Sequence, residues 1–324
     1  MFLLHPDAFL CDLGILLLVA FGASVTVASW VWMRQTESGS VLKAIVGFVG
    51  LISFLGFLLT VYGSFIEPRI IVTTHATVTQ RLSGGLKIAV VSDLHVGPYT
   101  DAAFVRSVVE RVNTELPDMV LMPGDFIFGS ESNLEDFKPL KALRAPLGVF
   151  AVLGNHDVGR YETPFGRRYS GKDRGDAVTK ALAENGVRVL RNDHEVIPLP
   201  DGAVTVAGID DLWTGHADIR KSLTGIPSGS LTILLSHNPS VILETEASAA
   251  HLIVSGHTHG GQFRLPFIGP LTRLPTALGN SFDQGIFPLE NNRTLAISRG
   301  IGESGARARL FAWPEVMVVD VENE

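Results

Sequence analysis

Apolar positions along the chain fall into two long blocks followed by many short ones. Leu13–Met33 is a 21-residue run without a charge, and Ala44–Ile66 is a 23-residue run of the same kind. At about 1.5 Å per residue, each is long enough to cross a bilayer as a helix. No basic segment precedes the first block and the second follows closely, which argues against a cleaved signal segment. The pair predicts a transmembrane hairpin over residues 1–66, with spans at about 13–33 and 44–66. Trp30, Trp32 and Tyr62 lie near the span ends, where interfacial aromatics collect.

Beyond residue 67 the period shortens. Leu86–Val91, Asp118–Met122, Gly148–Leu153, Leu231–Leu235 and His251–Val254 are short apolar runs bounded by Gly, Pro or Asn, which predicts buried strands. Ala203–Gly208, Thr294–Ser298 and Val316–Val321 read as further strands. Asp101–Glu115 carries Phe104, Val105, Val108, Val109 and Val112 at helical spacing and stops before Pro117. Asp176–Glu184 predicts another helix, closed by Asn185-Gly186. The alternation is that of an α/β fold. Residues 67–85 read as a linker and first strand region, and 86–324 as the folded domain.

Five of these runs end in polar motifs. In chain order they are Asp93-Leu94-His95, Gly124-Asp125, Gly154-Asn155-His156-Asp157, Ser236-His237-Asn238 and Gly256-His257-Thr258-His259. Groups at neighbouring strand ends converge on one edge of an open α/β sheet, where such folds bind ligands. The glycines allow the sharp turns that bring them close. Imidazole combined with carboxylate suits Mn(II), Fe, Zn or Co, whereas an all-oxygen set favours Mg or Ca. Two such ions about 3.5–4 Å apart clamp a phosphate, generate hydroxide and stabilise a leaving oxygen. The pattern points to a two-metal hydrolytic centre.

Taken together, the motifs resemble the calcineurin-like metallophosphoesterase superfamily, whose pattern is D-x-H, G-D, G-N-H-D/E, H and G-H-x-H. The stretches GHTHGGQFRLPFIGPL (Gly256–Leu271) and SRGIGESG…RLFAWPE (Ser298–Glu315) are similar to its bacterial membrane-associated branch. That branch includes YkuE- and YaeI-like phosphodiesterases and a pyrophosphatase acting on UDP-2,3-diacylglucosamine. The resemblance covers roughly residues 70–324 and implies a four-layer α/β/β/α sandwich. It also implies a ligand set. Asp93, His95 and His259 would hold one divalent metal, and Asn155, His237 and His257 a second, with Asp125 bridging them. Mn(II) is the first expectation for both, with Fe, Zn or Co as alternatives. His156 would protonate the leaving oxygen, with Asp157 orienting and polarising its imidazole. The implied nucleophile is a metal-held hydroxide, with no Ser or Cys intermediate. The expected activity is hydrolysis of a phosphodiester or pyrophosphate bond, in a lipid-linked substrate such as UDP-2,3-diacylglucosamine. The alternatives are a phosphomonoester or phosphoprotein phosphatase and a non-catalytic, metal-dependent membrane scaffold. His156 favours catalysis, because a scaffold has no use for it.

Charge narrows the partners. The chain has 26 basic and 33 acidic residues, and residues 67–324 keep 24 against 30. That acidic balance gives no footprint for nucleic acid. A basic exception, Arg160–Arg174, holds Arg160, Arg167, Arg168, Lys172 and Arg174, and reads as a solvated loop or as a flap that attracts anions. Arg299 is either a phosphate contact or half of a structural ion pair. His5, His75, His194, His216 and His251 read as surface or packing residues, although the loop Asp210–His216 is placed to reach a substrate. The apolar segment Leu265–Leu271 is either core or a contact for an amphiphilic ester. Cys11 is the only cysteine, so no intramolecular disulfide forms. Arg34 and Lys43 in the connector favour a cytoplasmic connector with the domain outside, while Arg69, Arg81 and Lys87 pull the other way. The composition does not set the oligomeric state.

Overall fold

The computed structural model describes residues 6–37, 39–82, 84–162, 168–200 and 202–323. His5 and Arg167 lie outside the described residues. Two helices, α1 (Pro6–Gln35) and α2 (Ser40–Val61), come first. They run antiparallel, with Gly22 against Phe57 and Gly50 against Ser29. A Cβ on Gly50 would stand 2.8 Å from that of Ser29, so glycine sets how closely the helices approach. Most of their large apolar side chains are exposed, among them Leu17, Phe21, Phe48 and Ile52. Both helices are long and apolar enough to cross a membrane.

The second helix ends before the expected residue 66. It loosens into a π turn at Tyr62–Ile66 and a tight turn at Glu67–Arg69. Tertiary bonds account for the change. Buried Glu67 accepts the backbone N–H groups of Phe311 (2.9 Å) and Ala312 (2.6 Å). The Arg309 N–H donates to the Gly63 carbonyl at 2.8 Å, and Trp313 Nε1 donates to the Tyr62 hydroxyl at 3.1 Å.

Two six-stranded sheets follow. The strands are β1 (Val72–Gln80), β2 (Leu86–Val90), β3 (Met119–Met122), β4 (Val149–Ala151), β5 (Arg188–Val189), β6 (Asp193–Leu199), β7 (Gly202–Gly208), β8 (Leu231–Leu235), β9 (Leu252–Ser255), β10 (Gly285–Leu289), β11 (Arg293–Ile297) and β12 (Glu315–Asn323). The first sheet runs β1-β12-β2-β3-β4-β5 and the second β10-β11-β9-β8-β7-β6. Within them β2-β3-β4-β5 and β11-β9-β8-β7 are parallel. Strands buried on both faces need apolar side chains at every position, which is why these runs do not alternate with polar residues. Ile88, Val90, Leu121 and Phe150 face Val206, Ile233, Leu235 and Val254 between the sheets. Ala89, Val91, Val120 and Met122 face outward onto α3 (Ala102–Thr114) and α4 (Gly175–Glu184). Asp101 caps α3 by accepting the Phe104 N–H at 2.9 Å, and Val105, Val108, Val109 and Val112 form its buried face. Short helical turns cover the other sheet through Ile219, Val241 and Ala247. The result is the expected four-layer α/β/β/α sandwich.

Replacing Leu121, which is fully buried between the sheets, with Ala is expected to cost about 2–5 kcal/mol. The exposed Leu243 replaced with Ala should change stability by about 0.5 kcal/mol or less. Denaturant midpoints at unchanged slope test the contrast.

Candidate metal centre

The parallel strands β2, β3, β4, β8 and β9 all deliver their C-terminal ends to one edge, and the five polar motifs meet there. Asp93 and His95 follow β2, Asp125 follows β3, and Asn155, His156 and Asp157 follow β4. His237 follows β8, and His257 and His259 follow β9. Asp93, His95, Asp125, Asn155, His237, His257 and His259 are all buried, none more than 6% exposed. Asp93, His95 and His259 bring ligand atoms within 4.8 Å of one another, and so do Asp125, His237 and His257. Asp125 Oδ2 lies between the two groups, 3.2 Å from His237 Nε2 and 3.6 Å from His95 Nε2. Asn155 Oδ1 is 3.1 Å from His237 Nε2.

The backbone is strained to achieve this. Asp93 (φ 54°), His95 (45°), Asp125 (55°), His257 (71°) and His259 (51°) all adopt the left-handed region. Each such residue costs on the order of 1–3 kcal/mol, and such strain clusters at functional sites. Gly154 is needed for another reason. Any Cβ there would collide with the Asp125 carboxylate, which comes up directly against its Cα.

Main-chain carbonyls select the imidazole tautomers. His237 Nδ1 is 2.7 Å from the Pro123 carbonyl, and His257 Nε2 is 2.7 Å from that of Pro275. A carbonyl only accepts, so each of those nitrogens carries a proton and the opposite nitrogen is the one turned inward. Those inward nitrogens, His237 Nε2 and His257 Nδ1, are 3.0 Å apart, and His95 Nε2 is 3.1 Å from His259 Nε2. Nitrogens this close share either a proton or a metal ion. This donor set fits divalent metal of the imidazole-binding kind.

The buried charges shift accordingly. Burial holds His95 and His259 well below the usual imidazole value, and it lowers His257 to about 3 with help from the His237 charge. Burial also acts to lower His237, but the Asp125, Asp93 and Asp211 carboxylates outweigh it and raise it to about 10. Asp125 is pushed up by burial, yet the charges of His237 and His156 hold it well below the carboxylate range.

One expected contact is replaced. Asp157 does not polarise the His156 ring. Its carboxylate accepts backbone N–H groups from Phe126 (2.9 Å), Ile127 (3.1 Å) and Gly154 (2.9 Å), which ties the β3 and β4 motifs together. The His156 imidazole is held by the Phe128 carbonyl, 2.8 Å from Nδ1. The His156 N–H donates to Asp125 Oδ1 at 2.9 Å, so the loop carrying it is anchored to the shared carboxylate.

Other side chains settle into definite places. Arg299 pairs with Glu315 at 3.2 Å and is structural. His251 Nδ1 accepts the Thr232 N–H, and His75 stands 3.5 Å from Glu115. The loop after β7 reaches the centre through Trp213 and not through His216, which is exposed. The Trp213 ring meets His257 edge-on at 4.7 Å. Asp211 is buried beside it and pushed up to about 6 by burial. Arg309 was not anticipated from the sequence. Its buried guanidinium lies 3.3 Å from His259 Nδ1 and donates to the Gly302 carbonyl at 2.5 Å and the Ala312 carbonyl at 2.7 Å.

The sequence profile of the calcineurin-like phosphoesterase family matches residues 86–261. The chain belongs to this family. It is 31% identical to the metallophosphoesterase YkuE of Bacillus subtilis over 271 residues, covering 81% of this chain and 89% of that one. The UDP-2,3-diacylglucosamine pyrophosphatase LpxG of Chlamydia muridarum is 28% identical, covering 72% of this chain and 83% of its own. A transmembrane protein with a metallophosphoesterase domain from Danio rerio is 28% identical over 98% of this chain and 69% of its own. This calcineurin-like phosphoesterase is a metal-dependent phosphoester hydrolase.

The metal-free phosphoesterase should lose stability as pH rises above about 6.5, because folded His237 (about 10) and Asp157 (about 8) keep protons that the unfolded chain has released. His95, His257 and His259 have lowered folded values, so their contribution is present above the unfolded value of about 6.5 and is lost as pH falls. His237 is raised to about 10, so its contribution is complete below about 6.5 and is lost as pH rises toward 10. Thermal unfolding of the chelated protein across pH tests this. Gly154→Ala should lower bound divalent metal, measured by elemental analysis, while far-ultraviolet circular dichroism stays unchanged.

Proposed function

We propose that the protein is a membrane-anchored phosphoesterase with two divalent metals, acting on a phosphodiester or diphosphate bond. The observation that carries this reading is the Asp125 carboxylate standing between two groups of inward-turned ligands. Asp93, His95 and His259 would hold one metal and Asn155, His237 and His257 the other, with Asp125 shared between them. Mn(II) is the proposed occupant, with Fe, Zn and Co compatible with the same donors. When bound, the metals supply positive charge to the phosphate oxygens and make water a nucleophile near neutral pH.

The protein's own groups do the rest. Phe128 accepts the His156 Nδ1 proton, which leaves Nε2 to carry and deliver a proton to the leaving oxygen. Asp157 is a positioning residue, since it fixes the backbone of Gly154, Phe126 and Ile127. Trp213 limits rotation of the His257 ring. Residues 1–66 act as the transmembrane hairpin, residues 67–85 as the junction and residues 86–324 as the catalytic domain. The apolar helices and the likeness to LpxG support a lipid-linked ester, of which UDP-2,3-diacylglucosamine is an example, as substrate.

The test uses the full chain in detergent, loaded with Mn(II), and a chromogenic phosphodiester. Wild-type turnover should fall by about 10²–10⁴-fold in His156→Ala with metal content unchanged. Equal turnover in the two would remove His156 as the acid. Faster turnover of a monoester than of any diester or diphosphate would replace the proposed bond with a phosphomonoester. At about 100 times its Kd, each bound Mn(II) should add about 2.7 kcal/mol of stability to the metal-free protein.

A further inference from the structure

The segment Leu265–Leu271 is not core. It forms a small ribbon in which Arg264–Leu265 pairs antiparallel with Gly269–Pro270, and its tip is bare. Phe267 is fully exposed, Ile268 is 73% exposed and Leu271 54%. Phe267 also sits at φ 67°, so the tip is a tight left-handed turn that holds the ring away from the ribbon. Fully exposing adjacent large apolar side chains on a tight turn is unfavourable in water and marks a contact surface.

Two connections say what covers it. The first leads to the metal centre. The ribbon begins five residues after His259, across the turn at His259–Gly261. The second leads to the apolar helices. Phe263 pairs with Leu310, and the Arg264 N–H donates to the Leu310 carbonyl at 2.9 Å. On the neighbouring residue, the Arg309 N–H donates to Gly63 at the foot of α2. One short segment, 309–312, therefore carries the ribbon on one side and the foot of the helical hairpin on the other. Phe65, Ile66 and Ile70 at that foot are also exposed apolar residues. Arg307 lies over the Phe65 ring, 5.4 Å from its centre, and Arg273 is exposed just past the ribbon. Apolar tips with arginines beside them suit a bilayer surface carrying phosphate headgroups.

We infer that the Phe267–Ile268 tip is a second membrane contact, inserting into the leaflet reached by the end of α2 and presenting the metal edge to esters embedded in that leaflet. The inference rests on the membrane-anchored reading above. It makes the substrate an amphiphile that is approached from the bilayer side.

The experiment places a reporter on the tip. The only native cysteine is Cys11, so Phe267→Cys in a Cys11→Ala background takes a single environment-sensitive fluorophore. Leu116→Cys, which is 78% exposed at the opposite end of the strands from the metal edge, is the reference. The full chain is reconstituted in phosphatidylcholine vesicles containing phosphatidylglycerol, with and without spin-labelled acyl chains. The probe at 267 should be blue-shifted and strongly quenched by the spin-labelled lipid, and the probe at 116 should be neither. Equal, water-like behaviour at both positions overturns the contact. Shielding at 267 without lipid quenching overturns it in favour of a protein partner. This readout needs no turnover, so it stands apart from failure of the phosphodiesterase reading. If wild type is active, Phe267→Asp/Ile268→Asp should lower the ratio of vesicle-embedded to soluble ester turnover by about tenfold or more, a step worth about 1.4 kcal/mol. An unchanged ratio overturns the role in substrate access.

Discussion

The arrangement of the protein follows from one constraint. Aspartates and imidazole lone pairs are enclosed together at a dry sheet edge, where they must be neutralised by cations. Desolvating a carboxylate costs several kcal/mol, and two inward nitrogens at 3.0 Å must share a proton or a metal ion. The local structure exists to hold this unfavourable set in place. Five left-handed residues aim the ligands, Gly154 admits the Asp125 carboxylate, and carbonyls from Pro123 and Pro275 fix the tautomers. Asp157 is spent on backbone N–H groups because the loops carrying Asp125 and His156 must not separate. Metal binding and folding are therefore coupled at this edge.

Much of this was legible in the sequence, and the parts that were not share a cause. Buried parallel strands are written as continuous apolar runs, so β2, β3, β8 and β9 could be read within a residue or two. The ligand chemistry sits in side chains and could be read as well. β1 was harder, because its Thr-rich pattern has half-exposed positions and its partner is β12 at the far end of the chain. β6 is an edge strand with Asp193, Glu195 and Pro198, a composition that resembles a loop. The carbonyls of Pro123, Phe128 and Pro275 left no signal, because every residue has one. The contact of Asp157 with the His156 ring that the resemblance implied is not made, because the Asp157 carboxylate is taken up by the Phe126, Ile127 and Gly154 N–H groups. Leu265–Leu271 reads equally as core or surface, and only the ribbon geometry separates the two.

Arg309 ties the two halves of the molecule together. A fully buried guanidinium is expensive unless its donors are used, and here they reach the Arg299, Gly302 and Ala312 carbonyls. Burial lowers it to about 10 while Glu303 and Asp93 raise it, so it remains charged at neutral pH. The same short segment gives its backbone to Gly63 and receives Glu67 at Phe311 and Ala312.

That junction has a mechanical consequence. A flexible linker would let the catalytic domain tumble, and the metal edge would face a membrane only briefly. Here the turn at the foot of α2 is bonded to the segment whose arginine stands 3.3 Å from a proposed ligand, His259. The hydrogen bonds at Gly63, Tyr62 and Glu67 act at separate points, so rotation about any one of them breaks the others. The helical pair therefore fixes the direction in which the ligand-bearing edge points as well as the position of the domain. Because α2 leaves helical geometry over Tyr62–Ile66, the angle is set by the bonded turn and not by a continuous helix. The geometry that orients the ligand-bearing edge is thus encoded where the apolar helices end, among residues outside the candidate metal centre.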